Sequence, residues 1–93
     1  MDAIVIHMDE TRAAETAITT VIREAMATST DANTLEKLAD KSGMPYSTLS
    51  RKMNHRPDLI SWNELGQILA ALGMSLVDFS VKVERARTIK QVA

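Results

Sequence analysis

The sequence contains no cysteine. This absence excludes disulfide bonds, thiolate zinc sites and cysteine nucleophiles together, and it suits a reducing compartment. Aromatic residues make up only 3% of the 93 residues, so aliphatic side chains and the six methionines must fill the core. With 45% hydrophobic and 25% charged residues, the composition is that of a globular protein, and the length suits one small domain.

Long hydrophobic runs are also missing. No stretch approaches the ~18 consecutive apolar residues of a membrane-spanning helix. Residues 1–9 are acidic, whereas the start of a secretory signal peptide is basic. We therefore expect no membrane partner and a cytoplasmic location.

Motifs of catalysis and metal binding are absent as well. The chain has no glycine-rich phosphate loop, no His-Glu-x-x-His and no nucleophile elbow. Its two histidines, His7 and His55, are far apart and have no metal-ligand spacing around them. We expect no enzyme activity, no metal, no cofactor and no small-molecule ligand.

Charge is unevenly distributed along the chain. The net charge is −1, yet residues 34–57 carry five basic and two acidic side chains, a balance of +3, and the remaining residues carry −4. Residues 44–57 contain no acidic side chain at all. A local basic segment of this kind is compatible with an anionic partner despite the acidic total.

Apolar residues at helical spacing predict a mainly α domain of four to five helices over residues 10–86. The first helix is expected from Asp9 or Thr11 to Ala27. The helices after it are marked by capping residues, namely Thr34 and Gly43 around the second, Pro45 at the start of the third, Ser61 with Glu64 and then Gly73 around the fourth, and Ser75 before the fifth.

The two ends are ambiguous. Ile4, Ile6 and Met8 alternate as in a β-strand, and we predict a short strand over residues 3–8 within an N-terminal arm, 1–9. Residues 79–86 fit either a helix or a strand, and 87–93 form a C-terminal tail. A lone strand is not stable, so residues 3–8 must pair with the region around Val81, pair with a second subunit, or remain a disordered tail.

Residues 34–56 follow the pattern of a helix-turn-helix: a short helix, a glycine-containing turn, and a second helix with polar and basic side chains outward. Ala39 is small where the two helices must cross closely. Gly43 can adopt the positive φ of a sharp turn, and Leu49 and Met53 anchor the second helix from behind.

Segments 35–51 and 64–75 resemble the lambda-repressor-like helix-turn-helix domains of Cro and related phage or bacterial repressors. The matching patterns are Leu-Ala-x-x-x-Gly at 38–43 and Ala-Leu-Gly-x-Ser at 71–75, and the resemblance covers residues 12–80. It implies a third helix that enters the major groove, as a homodimer on a near-palindromic operator of double-stranded DNA. A bacterial, phage or prophage origin follows from the same resemblance.

The resemblance also assigns candidate contacts. Arg51 could bind a guanine edge, hold a phosphate or be solvated, and Tyr46 could meet DNA or pack on its own scaffold. Trp62 is expected to close the core at the start of the fourth helix. By the resemblance, the candidates for base contacts are Tyr46, Ser47, Thr48 and Arg51, and those for phosphate contacts are Thr34, Ser50, His55 and Arg56. Their positive charge adds Lys37, Lys41 and Lys52 to the phosphate candidates.

The leading functional hypothesis is a sequence-specific repressor or regulator of transcription. The first alternative is the antitoxin of a toxin–antitoxin pair, which would use the same domain to autoregulate and the apolar N-terminal arm to bind a toxin. A protein-interaction module that has lost DNA binding is the third, and the acid-free segment argues against it. For the homodimer, the expected interface residues are Ile4, Ile6 and Met8.

Overall fold

The computed structural model describes the backbone of residues 2–92 and the side chains of residues 15–88. The described chain forms five α-helices and one short 3-10 turn, and it contains no β-strand. The predicted all-α class is therefore confirmed. The elements are α1 (Asp2–Ala27), α2 (Leu35–Ser42), α3 (Tyr46–Asn54), the 3-10 turn (Pro57–Leu59), α4 (Trp62–Leu72) and α5 (Leu76–Val92).

The prediction of a strand over residues 3–8 is wrong. Helix α1 begins at Asp2 and continues through the expected start at Asp9 without interruption. An isolated strand leaves its backbone amides and carbonyls without partners, whereas a helix pairs them within the segment itself. The side chains of Ile4, Ile6 and Met8 lie outside the described side chains.

Residues 79–86, for which the sequence left helix or strand open, form part of helix α5. Ser75 Oγ accepts a hydrogen bond from the amide of Asp78 at 3.1 Å, which caps the start of α5. Phe79 is buried and Val83 and Ala86 pack against the core, so one side of α5 follows helical spacing. Because Val81 belongs to a helix, the suggested strand pairing between this region and residues 3–8 is also wrong.

The predicted capping residues are confirmed at α2 and α4, whereas α1 runs past the predicted caps Asp9 and Thr11, and Pro45 lies just before α3 and not at its first position. Thr34 Oγ1 accepts from the amide of Lys37 at 3.1 Å at the start of α2. Gly43 and Gly73 end α2 and α4 with φ of 77° and 67°, values that L side chains rarely adopt. Ser61 and Glu64 form a complete capping box at the start of α4.

The core is mostly aliphatic and draws on all five helices. Helix α1 packs along α5, and α2 lies against both α3 and α4. The largest fully buried side chains are Ile22, Leu38, Leu49 and Ile68, one from each of α1 to α4, and Phe79 adds α5. Three methionines, Met26, Met44 and Met53, are buried among them.

The expectation that Trp62 closes the core is wrong. This side chain is 74% exposed. Trp62 lies on the same side of α4 as the core residues Leu65 and Leu69, but it is the first residue of the helix. At this end of α4 the indole is left mostly in solvent.

None of the described helices is by itself long and apolar enough to cross a membrane. Helices α4 and α5 reach that length and hydropathy only when they are counted together, and they meet at an angle of 99°.

Candidate nucleic-acid interface

Helices α2 and α3 form a compact pair joined at Gly43. The inner side of α3 is anchored by Leu49 and Met53, which are 0% and 3% exposed, and the inner side of α2 by Leu38 and Ala39. Met44, in the connection, donates its amide to the Ala39 carbonyl at 3.0 Å. The predicted anchors are thus in place, and they leave the opposite side of α3 outside the core.

That outer side carries the candidates for base contacts. Tyr46 is 49% exposed, Ser47 and Arg51 are exposed, and Thr48 is half-buried. Pro45 precedes the helix and supplies no side-chain cap. The first turn of α3 therefore combines backbone amides without a side-chain acceptor with short polar side chains.

Lys52, a candidate for a phosphate contact, makes an intramolecular ion pair. Its Nζ lies 2.7 Å from Glu64 Oε1 and 2.9 Å from Oε2, and the two side chains are only 14% and 20% exposed. Glu64 Oε1 also accepts from the amide of Ser61 at 2.9 Å. The hydrogen bond from Lys52, followed by that backbone amide, holds the pKa of Glu64 below its usual range. Lys52 thus joins α3 to α4, and a phosphate would have to compete with Glu64 for it.

Two further cations among the phosphate candidates have carboxylate partners at the surface. Lys41 Nζ lies 2.7 Å from Asp31 Oδ2, and Arg56 Nη2 lies 2.8 Å from Asp58 Oδ2. Lys41 lowers the pKa of Asp31, Arg56 lowers that of Asp58, and Asp58 raises the pKa of Arg56. Exposed ion pairs contribute little to stability, so either cation can exchange its carboxylate for a phosphate at little cost.

The remaining phosphate candidates lie around α2 and α3. Lys37 and His55 are exposed and form no ion pair with any side chain of residues 15–88. Thr34 is exposed and uses its hydroxyl oxygen as the cap of α2, which leaves the hydroxyl proton able to donate. Ser50 is half-buried and its Oγ accepts from Asn54 Nδ2 at 3.3 Å.

Sequence reasoning missed one contribution from α1. Arg23 Nη2 donates to Asn54 Oδ1 at 2.6 Å, which places an exposed guanidinium at the C-terminal end of α3. The two residues are 31 positions apart, and no local pattern in the sequence connects them. Arg23 therefore adds positive charge to one edge of the candidate interface.

Within the part of the chain that was searched, no three His, Asp or Glu side chains cluster as metal ligands would. Comparisons with protein-family models, with curated proteins and with solved structures give no match. The described residues form a small all-α domain of five helices.

Proposed function

We propose that this protein is a sequence-specific DNA-binding regulator of transcription in which α2 and α3 act as a helix-turn-helix. The observation that carries the proposal is the two-sided character of α3. Its inner side is held by fully buried Leu49 and buried Met53, while Tyr46, Ser47 and Arg51 are exposed on a segment, 44–57, that contains no acidic residue. A rigidly held helix with short polar and basic side chains outward suits the major groove.

In this proposal Arg51 reads a base. Its guanidinium is exposed and forms no ion pair with the described side chains, unlike that of Arg56. Arginine can donate two parallel hydrogen bonds to O6 and N7 of guanine, which makes it the side chain most suited to a specific contact. Tyr46, Ser47 and Thr48 lie one turn earlier, where helices of this type meet base edges.

In this proposal, side chains around α2 and near the C-terminal end of α3 bind phosphates. Lys37 and His55 are exposed cations or donors, and Lys41 and Arg56 can exchange their carboxylate partners for phosphates. Each phosphate neutralised by a protein cation adds about −0.9 to the slope of log affinity against log salt. Binding should therefore weaken steeply as salt rises.

The test begins with selection of bound sequences from random duplex DNA, followed by fluorescence anisotropy on the selected site over a range of salt concentrations. We expect enrichment of a near-palindromic site and strong salt dependence. Recovery of no preferred sequence together with an affinity that does not change with salt would refute the proposal.

Two substitutions at Arg51 separate its possible roles. Arg51→Ala should cost about 1–3 kcal/mol on the selected site and relax the preference at one base position. Arg51→Lys keeps the charge and loses the planar fork, so it should lose sequence preference if Arg51 reads guanine and behave as wild type if Arg51 holds a phosphate. Lys82→Ala is the matched control, because it removes one positive charge from an exposed position on α5, beside α1.

A further inference from the structure

The C-terminal half of α3 is joined to two other helices by side-chain hydrogen bonds. Lys52 Nζ donates to both carboxylate oxygens of Glu64 on α4, at 2.7 and 2.9 Å. Asn54 Oδ1 accepts from Arg23 Nη2 on α1 at 2.6 Å. We call the bonds between Lys52 and Glu64 the α4 link, and the bond between Arg23 and Asn54 the α1 link.

The two links add a constraint that core packing does not supply. Within the described residues, α3 lies alongside α2 and the 3-10 turn, whereas its backbone has no extended contact with α1 or α4. Leu49 and Met53 hold the inner side of α3 through the hydrophobic effect, which is non-directional. A hydrogen bond instead holds its partners at a set distance and angle. The links can therefore fix how far α3 is rotated about its own axis.

The links lie on opposite flanks of Arg51, the proposed base contact. At 3.6 residues per turn, Lys52 is turned about 100° from Arg51 in one direction and Asn54 about 60° in the other. Leu49 and Met53 are each turned about 160° from Arg51, so Arg51 lies opposite the core. Rotation of α3 in either direction would stretch one of the two links.

We propose that Lys52 with Glu64, and Asn54 with Arg23, are positioning residues that fix the rotation of α3 and thereby the direction of Arg51. This inference rests on the proposed function, because it gives the links a part in sequence preference. Lys52 then acts through Glu64 and not as a phosphate ligand. Arg51 needs this control, since two parallel hydrogen bonds to guanine require the planar guanidinium to be aligned with the base edge.

The α4 link should matter more than the α1 link. The side chains of Lys52 and Glu64 are only 14% and 20% exposed, and Glu64 is held from a second side by the amide of Ser61, at 2.9 Å. Arg23 and Asn54 are both exposed, so water competes for their hydrogen bond. The two links therefore predict effects of different size.

The experiment measures sequence preference, defined as the ratio of affinities for the selected DNA site and for the same site changed at the base pair where Arg51→Ala relaxes the preference. Lys52→Met and Glu64→Gln each break the α4 link and should lower this ratio by about fivefold or more, the lower end of what one bidentate contact supplies. The double variant should lose no more than either single variant, because both remove the same link. Lys52→Arg can still bond to Glu64 and should keep most of the preference.

The α1 link is tested by Asn54→Ala, which changes no charge. Because the bond is exposed, the ratio should fall by only about twofold. Lys82→Met is the matched control for Lys52→Met, since it removes the same charge from an exposed position on α5, and it should leave the ratio unchanged. Circular dichroism at the temperature of the binding assay establishes that each variant is folded.

Salt dependence separates positioning from a phosphate contact by Lys52. If Lys52 held a phosphate, Lys52→Met would make the slope of log affinity against log salt less steep by about 0.9 per half-site. Glu64→Gln would then free the ammonium and raise the affinity for all sequences alike. We expect an unchanged slope in Lys52→Met and a loss of preference in both variants. A less steep slope with an intact preference overturns the proposal.

A measurement without DNA distinguishes failure of this inference from failure of the proposed function. The amide of His55 donates to the Arg51 carbonyl at 2.9 Å, at the end of α3. Its hydrogen exchange should become faster in Lys52→Met and Glu64→Gln by a larger factor than that of the Ile22 amide in α1. Exchange at His55 that matches the Lys82→Met control overturns the inference. A wild-type chain without sequence preference refutes the proposed function and the role of the links in recognition, while exchange still decides whether they hold α3.

Discussion

The ion pair between Lys52 and Glu64 should couple α3 to α4 more strongly than a surface pair would. The perturbation is a double-mutant cycle built from Glu64→Gln and Lys52→Met. The glutamine keeps an oxygen for the Ser61 amide, so the capping box survives while the charge is lost. The cycle therefore isolates the bond to Lys52 from the cap.

The expected coupling free energy between Lys52 and Glu64 follows from the burial and the geometry of the pair. Two short hydrogen bonds, 2.7 and 2.9 Å, join charged groups that are 14% and 20% exposed. Bonds to charged groups contribute about 1.5–3 kcal/mol, and the remaining exposure and the ordering of two long side chains reduce this, so we expect a coupling of about 1–2 kcal/mol. Each kcal/mol corresponds to about 4–8 °C in Tm for a domain of this size.

The stabilisation contributed by the Glu64 carboxylate should also decrease at low pH. Hydrogen bonding by Lys52 lowers the pKa of Glu64 in the folded chain relative to its ordinary value of 4.5. The carboxylate therefore stabilises the fold fully above pH 4.5, and its contribution is lost as the pH falls through the lower folded value. The difference in free energy of unfolding between wild type and Glu64→Gln should therefore become smaller as the pH is lowered from neutral to below the folded pKa of Glu64.

The assay is urea unfolding followed by circular dichroism, with the four proteins of the cycle compared at neutral and acidic pH. The exposed pair of Arg56 and Asp58 provides the control, since their side chains are 57% and 37% exposed. A coupling for Lys52 and Glu64 no larger than that of the control pair, or one that persists unchanged in acid, would refute the reasoning.

Three further predictions concern stability, each measured by thermal unfolding at one fixed protein concentration. Gly43→Ala should lower stability by about 1 kcal/mol or more, because its φ of 77° strains an L residue, and an unchanged Tm would contradict this. Gly66→Ala should raise stability by about 0.5–1 kcal/mol, since this glycine is helical with open space at its Cβ position, and a loss would show unrecognised crowding. Leu49→Ala should cost about 2–5 kcal/mol at a fully buried site, and a cost below 1 kcal/mol would mean that α3 is not anchored there.

Local sequence alone determined where most of the helices begin and end. Thr34 and the Ser61–Glu64 box cap helices through bonds to amides within three residues, and Gly43 ends α2 through its own backbone conformation. These interactions depend on near neighbours in the chain, so their signals are readable without a fold. The inner positions of α3, Leu49 and Met53, were predictable for the same reason, because four-residue spacing defines one side of a helix.

Tertiary packing decided what local patterns left open. Residues 3–8 are a separate case, because the hydrogen bonds that extend α1 to Asp2 lie within the segment, and the alternating pattern nevertheless suggested a strand. An apolar side chain such as Trp62 is buried only if a neighbouring element covers its position, and at the first residue of α4 the indole stays 74% exposed although Leu69 on the same side is buried. The partners of Lys52 and Asn54 lie 12 and 31 residues away, so only the folded chain brings Glu64 and Arg23 beside α3. Capping and periodicity are properties of a segment, whereas exposure and ion pairing depend on which segments meet.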